Sequence, residues 1–594
     1  MHNSNGFELR ELKNVQSALK AWVRALEMTA ALPAEPLRTL PVLVDQWAER
    51  SGAMTALTCP NAALSYRQLA TDCNRYARWA VDQGLGPGDA VGLLMPNCAH
   101  YMAVWLGLTR AGVSVALLNT QLRREALAHC IRIVAPKLMI VGSELCHAVP
   151  EVRSRLDAAL PWWAHGAGTH ELPRLDLAIE NAPGAAIPAM EIALPSLEDR
   201  ALFIYTSGTT GLPKAAHVSH FRVMQWSHWF AGMMDTRPSD RMYDCLPLYH
   251  SVGGVVATGA TLVGGGTVVL RERFSAGDFW RDVVEERCTL FQYIGELCRY
   301  LINTAPGRDE TVQGLRLCCG NGLRAEVWET FQTRFRIPQI LEYYASTEGN
   351  FSLYNCEGKV GAVGRIPPFL KHRTPVEIVR FDMTTQAPSR NADGRCTACG
   401  ADEVGEALGQ GRFEGYADPE ATAQKILHDV FTPGDAWYRT GDLMRRDPQG
   451  FFYFIDRVGD TFRWKGENVS AAEVTGIIAS CPGINDAAVY GVSVPGTDGR
   501  AGMAAIVTGP GFDLQSFRDY LCARLPDYAR PVFVRIIASM ALTGTFKLQK
   551  QMLRAEGFDP ARISGLYLDD RTLQAYVALD TLVHEQLQAG IRRL

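Results

Sequence analysis

The chemistry-bearing residues of this chain begin at 205–214 (YTSGTTGLPK), directly after the apolar run 201–204. Gly208 and Gly211 allow tight turns that present backbone N–H groups, while Thr206, Ser207, Thr209, Thr210 and Lys214 add hydroxyl donors and a cation. Donors packed this densely suit a polyphosphate. The spacing from Gly208 is GxxGxxK with Pro213 before the lysine, so this is not the GxxxxGK[ST] phosphate loop. Further polar residues lie in 246–250 (LPLYH), 320–324 (GNGLR), 343–349 (YYASTEG), 438–442 (YRTGD), 456–457 (DR) and 543–547 (TGTFK). Asp442 follows a Gly at what reads as a strand-to-turn junction, where an exposed carboxylate can accept two vicinal hydroxyls.

These groups need a scaffold. Strand-like 90–94 and 137–141 alternate with helical stretches such as 125–133, a pattern of α/β layers with parallel sheets. Near 456 the character changes, with a helix signal after Ser470, a strand-like 486–492 and a helix near 514–525. The expected organisation is a body from 1 to 456 and a smaller α+β domain over 457–594. Trp226, Trp229, Phe230, Met233 and Met234 fall on one helical face, and the glycine-rich run from Gly253 would leave volume beside it. That makes an apolar pocket, with His250 as a gate or carboxylate neighbour, although such a stripe also serves as plain core.

The 594 residues are 47% hydrophobic and 21% charged, the balance of a globular enzyme, and Lys plus Arg total 59 against 63 for Asp plus Glu. No basic run points to nucleic acid. The fifteen cysteines form no framework, and Cys396 and Cys399, though spaced CxxC, have no second pair nearby; they read as reduced thiols. The start carries Glu8, Arg10 and Glu11 and has no signal-peptide core, and the uncharged run 252–270 is diluted by glycine. The expected location is the cytoplasm. Leu9, Leu12, Val15, Leu19, Trp22, Val23 and Leu26 recur at helical spacing with Arg10, Lys13, Lys20 and Arg24 between them, so residues 8–28 either pack on their own domain or lie peripherally on the inner face of a membrane.

Taken in order, these motifs resemble the signatures of the adenylate-forming superfamily of acyl-CoA synthetases, luciferases and peptide-synthetase adenylation domains, over nearly the whole chain. Four phrases, 117–124 (LLNTQLRR), 292–300 (QYIGELCRY), 460–470 (DTFRWKGENVS) and 544–550 (GTFKLQK), are similar to one branch, the fatty acid transport proteins or very-long-chain acyl-CoA synthetases. Phe546 before the lysine, where most of the superfamily has Gly, is shared with that branch.

The resemblance implies an α/β fold: a large N-terminal adenylating body of layered sheets and helices, and a small mobile C-terminal domain. It implies a ligase that joins a long-chain fatty acid to CoA through an acyl-adenylate, using ATP and Mg²⁺. Glu348 would hold Mg²⁺, Thr347 would touch the α-phosphate, Tyr344 would stack on adenine, and Gly320, Asn321 and Gly322 would border the base. Asp442 and Arg457 would take the ribose, and Lys547 would enter the site to stabilise adenylation. Gly459 matches the hinge, and Lys465 and Gly466 would line the CoA tunnel. The acyl pocket would involve Trp226, Trp229, Gly253 and His250. Bile-acid or sterol side-chain carboxylates, a membrane-associated uptake role, carrier-protein loading and a homodimer stay open at this point.

Overall fold

The computed structural model describes the chain except residues 1–17, 169–170, 189, 207–211, 350, 384, 466, 496, 498, 542–549, 590 and 592–594. It divides into two compact units, residues 1–365 with 412–425, and residues 366–411 with 426–594.

Among the described residues the first unit holds two sheets. In one the strand order is Trp162–His165, Leu138–Gly142, Ala90–Leu94, Ser114–Leu117, Arg200–Thr206, Lys214–Ser219, parallel except for the last pair. Ala90–Leu94, Ser114–Leu117 and Leu138–Gly142 are buried along their whole length, as strands covered on both faces must be. The other sheet runs Ser352–Asn355, Ile340–Ala345, Leu317–Asn321, Leu290–Ile294, Arg241–Asp244, Thr267–Leu270, Thr55–Cys59, Ala62–Ser65, with six parallel strands and one antiparallel strand at each edge. Helices connect the strands; Tyr66–Asp82, for example, starts at a reciprocal cap between Ser65 and Gln68. The α/β architecture expected from the alternation is what the chain adopts.

Among the described residues the second unit shows two cores. Val376–Asp382, Gly405–Gly409, Ala436–Arg446 and Phe452–Arg457 form an antiparallel sheet over Val379, Leu408, Val430 and Trp437. From Phe462 onward a separate core gathers under the five-stranded sheet Ile484–Val492, Ala501–Thr508, Phe533–Ile536, Leu566–Asp570, Ala575–Ala578. Helix Ala471–Ala479 starts at Ser470, whose hydroxyl accepts from the Glu473 N–H.

Three local expectations change. Residues 18–30 are helical, but the buried face is Ala18, Ala21, Trp22 and Ala25, while Leu19 and Val23 stay 51% and 41% exposed. The reason is close packing: a Cβ on Gly232 would lie 2.5 Å from the Ala25 Cα, so a glycine and alanines let two helices approach and seat Trp22 between Trp229 and Tyr354. Gly253 itself packs closely: its segment Ser251–Ala257, a π-helix, presses on the 246–247 backbone, where a Cβ would lie 2.7 Å from the Pro247 carbonyl oxygen. Asp442 is not exposed at a turn; it lies within Ala436–Arg446 with 5% of its surface accessible. Among the described residues no helix is long and apolar enough to cross a membrane, and 252–270 is a π-helix, an α-helix and a strand.

Candidate active site

Leu317–Asn321 and Ile340–Ala345 are parallel neighbours, so their carboxyl ends deliver 320–322 and 344–348 to the same rim of the sheet. Such rims are where open α/β sheets bind ligands. Gly320 has no alternative: a Cβ there would lie 2.3 Å from the Tyr293 carbonyl oxygen. Gly322 turns with φ +78°. Beneath the turn Glu342 is buried, accepting from the Tyr293 hydroxyl at 2.5 Å and from the Leu323 N–H at 3.0 Å, with a further backbone bond from Gly322. Burial pushes its carboxyl up to about 8, against the pull of those donors. The Tyr344 ring meets Phe351 edge-on at 5.4 Å and is partly open.

Glu348 is buried, and its Oε1 accepts from the Tyr416 hydroxyl at 2.5 Å. The same Tyr416 ring lies under the Lys214 ammonium, 5.7 Å from its centroid. One aromatic residue therefore joins the cation of the glycine-rich segment to the carboxylate of YYASTEG. Burial and the Glu348 charge both raise the Tyr416 pKa, so the phenol keeps its proton and donates. Arg222 fixes the turn from below by donating to the carbonyl oxygens of Glu348 and Gly349. The Thr347 and Ser251 hydroxyls are 3.2 Å apart, and Ser251 follows His250, whose ring packs against Tyr249. Lys214 and Thr206 face each other as partners in their antiparallel pair. Ser207, Gly208, Thr209, Thr210 and Gly211 lie outside the described residues.

The sequence reading missed Tyr416. It arrives on residues 412–425, which fold back on the first unit: Ala417 N–H donates to the Ala215 oxygen, His217 N–H to the Gly415 oxygen, and Glu414 accepts from the Ser219 N–H and hydroxyl. No spacing rule marks a lone tyrosine 68 residues from its partner. Of the apolar face, Trp226 lies under the Arg222 guanidinium at 4.8 Å, next to the Glu348 turn, whereas Trp229 is taken up by Trp22 and Tyr354.

In the second unit Asp442 and Arg457 are partners in adjacent strands, with Nε 3.5 Å from Oδ1. Gly459 turns with φ +90° and no atom lies within 4 Å of the position a Cβ would take. Lys465 is exposed, in the left-handed region at φ +51°, and burial followed by the charge of Arg571 lowers its pKa. Gly466 and Lys547 lie outside the described residues.

Among the described residues no group of three or more His, Cys, Asp or Glu could hold a metal by itself, Cys396 and Cys399 included. The donor set at Glu348 and Thr347 fits Mg²⁺, which takes one or two carboxylates and completes its shell with water and substrate phosphates.

A sequence profile described as AMP-binding enzyme matches residues 44–384, and one described as AMP-binding enzyme C-terminal domain matches 473–547. The chain belongs to the AMP-binding enzyme family. It is 42% identical over 572 residues to long-chain fatty acid transport protein 1 of Mus musculus, covering 93% of this chain and 88% of that protein. It is 42% identical over 521 residues to long-chain fatty acid transport protein 3 of Homo sapiens, covering 86% and 76%. The crystal structure of the anthranilate CoA ligase AuaEII with anthranoyl-AMP superposes with TM-score 0.75 at 21% identity, over 87% of this chain and 96% of that one, and shares the fold. This family member is an adenylate-forming acid–thiol ligase that uses ATP, Mg²⁺ and CoA.

Proposed function

We propose that the acid is a long-chain fatty acid, converted to its CoA thioester through an acyl-adenylate. The observation that carries this reading is the convergence of Lys214 and Glu348 on Tyr416, with Thr347 preceding Glu348 in sequence, in a chain whose relatives are named for long-chain fatty acids. In the first step a carboxylate oxygen attacks the α-phosphorus and the bond to pyrophosphate breaks. Two anions must meet, so fixed cations where charge develops supply most of the rate. Lys214 meets the phosphates, Thr347 offers its hydroxyl to the α-phosphate, and Glu348 would hold Mg²⁺, which screens phosphate charge. Tyr344 stacks on adenine over the 320–322 turn, and Asp442 with Arg457 takes the ribose. In the second step the CoA sulfur attacks the acyl carbon and AMP leaves. The lid begins after 456 and turns about Gly459; Lys547 serves the first step, and Lys465 and Gly466 serve the second.

The test is AMP release with palmitate, ATP and CoA, repeated with Lys547→Ala. The wild type should form palmitoyl-CoA. The variant should lose adenylation by at least about 10²-fold, as expected for one preorganised donor, yet still convert supplied palmitoyl-adenylate and CoA. No product from palmitate with turnover of bile or sterol acids would move the substrate assignment; equal loss of both half-reactions would end the lid assignment. Peripheral membrane contact through residues 8–28 has support in exposed Leu19 and Val23, and would show as co-sedimentation with anionic vesicles that is lost on replacing both by Ser.

A further inference from the structure

The Thr347 hydroxyl meets a second hydroxyl that has no part in the chemistry above. Arg241–Asp244, Leu290–Ile294, Leu317–Asn321 and Ile340–Ala345 are successive parallel strands of one sheet, so the segments that follow the first and the last emerge at the same rim. Over the two strands between them, Ser251 and Thr347 bring their hydroxyls to 3.2 Å, although 96 residues separate them. The path from Asp244 to Ser251 is held at three points. Buried Asp244 accepts from the Leu246 N–H at 3.0 Å. The Asn97 amide donates to the Leu246 and Arg271 oxygens at 2.8 and 3.1 Å, and its oxygen accepts from the Leu248 N–H at 2.9 Å. The His250 N–H turns back to the Pro247 oxygen at 3.1 Å. Ser251 then opens the π-helix Ser251–Ala257, a rare conformation often placed at functional sites. This helix lies backbone to backbone on the preceding turn, since a Cβ on Gly254 would be 2.3 Å from the Leu248 oxygen. On the Thr347 side, Arg222 holds the carbonyl oxygens of Glu348 and Gly349, and Tyr416 holds the Glu348 carboxylate. Both backbones are fixed, and the hydroxyl pair joins them.

A hydroxyl has one proton to donate and two lone pairs that accept. Thr347 can serve a phosphate oxygen only if its proton is not spent elsewhere, and a neighbour that donates to it both sets its rotamer and leaves that proton free. We propose that Ser251 is this neighbour, a positioning residue for adenylation whose hydroxyl donates to the Thr347 oxygen and aims the Thr347 proton at the α-phosphate. The proposal rests on the reading of Thr347 as the α-phosphate contact. Loss of one neutral hydrogen bond corresponds to a rate decrease of about two- to tenfold. Because Ser251 acts through Thr347, its loss should not add to the loss of Thr347. A serine that only stabilised the π-helix would add its effect in full.

The experiment measures kcat/KM for pyrophosphate release from palmitate and ATP in full-length Ser251→Ala, Thr347→Ala, the double variant, and Ser251→Ala combined with Thr347→Ser. Ser251→Ala should be slower by about two- to tenfold. The double variant should fall within about twofold of Thr347→Ala, whereas in the Thr347→Ser background, which keeps the hydroxyl, Ser251→Ala should retain its full effect. An unchanged rate in Ser251→Ala, or losses that multiply in the double variant, would overturn the proposal. Should Thr347→Ala slow adenylation while Ser251→Ala does not, the reading of Thr347 stands and the role of Ser251 falls. Should Thr347→Ala keep the full rate, both fall.

Discussion

Glu342→Gln should change how stability depends on pH while leaving the fold intact. Glu342 is 1% exposed, and its partners are the Tyr293 hydroxyl and the N–H groups of Leu323 and Gly322; burial lifts its carboxyl from 4.5 to about 8. An acid whose folded pKa exceeds its unfolded one binds more protons when folded between the two values. Stability therefore falls as pH rises from about 4.5 through about 8, and the loss levels off above that. One pH unit corresponds to about 1.4 kcal/mol, so the wild type loses about 2–3 kcal/mol between pH 6 and pH 8 from this group alone. Glutamine cannot titrate, yet its carbonyl can keep the backbone N–H bonds and its amide can donate to the tyrosine oxygen. In thermal unfolding from pH 5.5 to 9, the variant's midpoint relative to wild type should climb by about 3–5 °C between pH 6 and pH 8, scaling at roughly 1–2 °C per kcal/mol for a unit of this size. Midpoints that run parallel across that range would refute the assignment of a proton to Glu342.

Tyr416→Phe removes the hydroxyl that holds Glu348 but keeps the ring under Lys214. A hydrogen bond to a charged group is worth about 1.5–3 kcal/mol, so kcat/KM for pyrophosphate release should fall about tenfold or more, with the KM for CoA unchanged; an unaltered rate would remove Tyr416 from the site. Gly232→Val would drive a side chain into the Ala25 backbone, undock residues 18–30 and speed tryptic cleavage at Arg24, which limited proteolysis followed by mass spectrometry would register. Equal cleavage in the two proteins would mean that the helix docks by another face.

Much of this protein could be read along the chain because its information is local. Fully apolar strands such as Ala90–Leu94 and Leu138–Gly142 alternating with helices require a covered parallel sheet, and YTSGTTGLPK, YYASTEG and YRTGD, in that order, resemble the adenylate-forming signatures, a resemblance that implies the chemistry before any coordinate is known. Ser470 announces its helix because a cap is decided within four residues. What only the tertiary structure decided is pairing over long separations. Tyr416 reaches Glu348 because residues 412–425 return to the first unit, and Glu342 meets Tyr293 because the two parallel strands flanking Leu317–Asn321 bring residues 49 apart into contact across it. The same holds for burial: Asp442 looks like a turn carboxylate in sequence and is enclosed in a strand, and the N-terminal helix hides its alanines because a glycine on its partner allows the backbones to approach. Periodicity records which residues share a face, whereas which neighbour covers that face depends on shape complementarity between segments far apart in the chain.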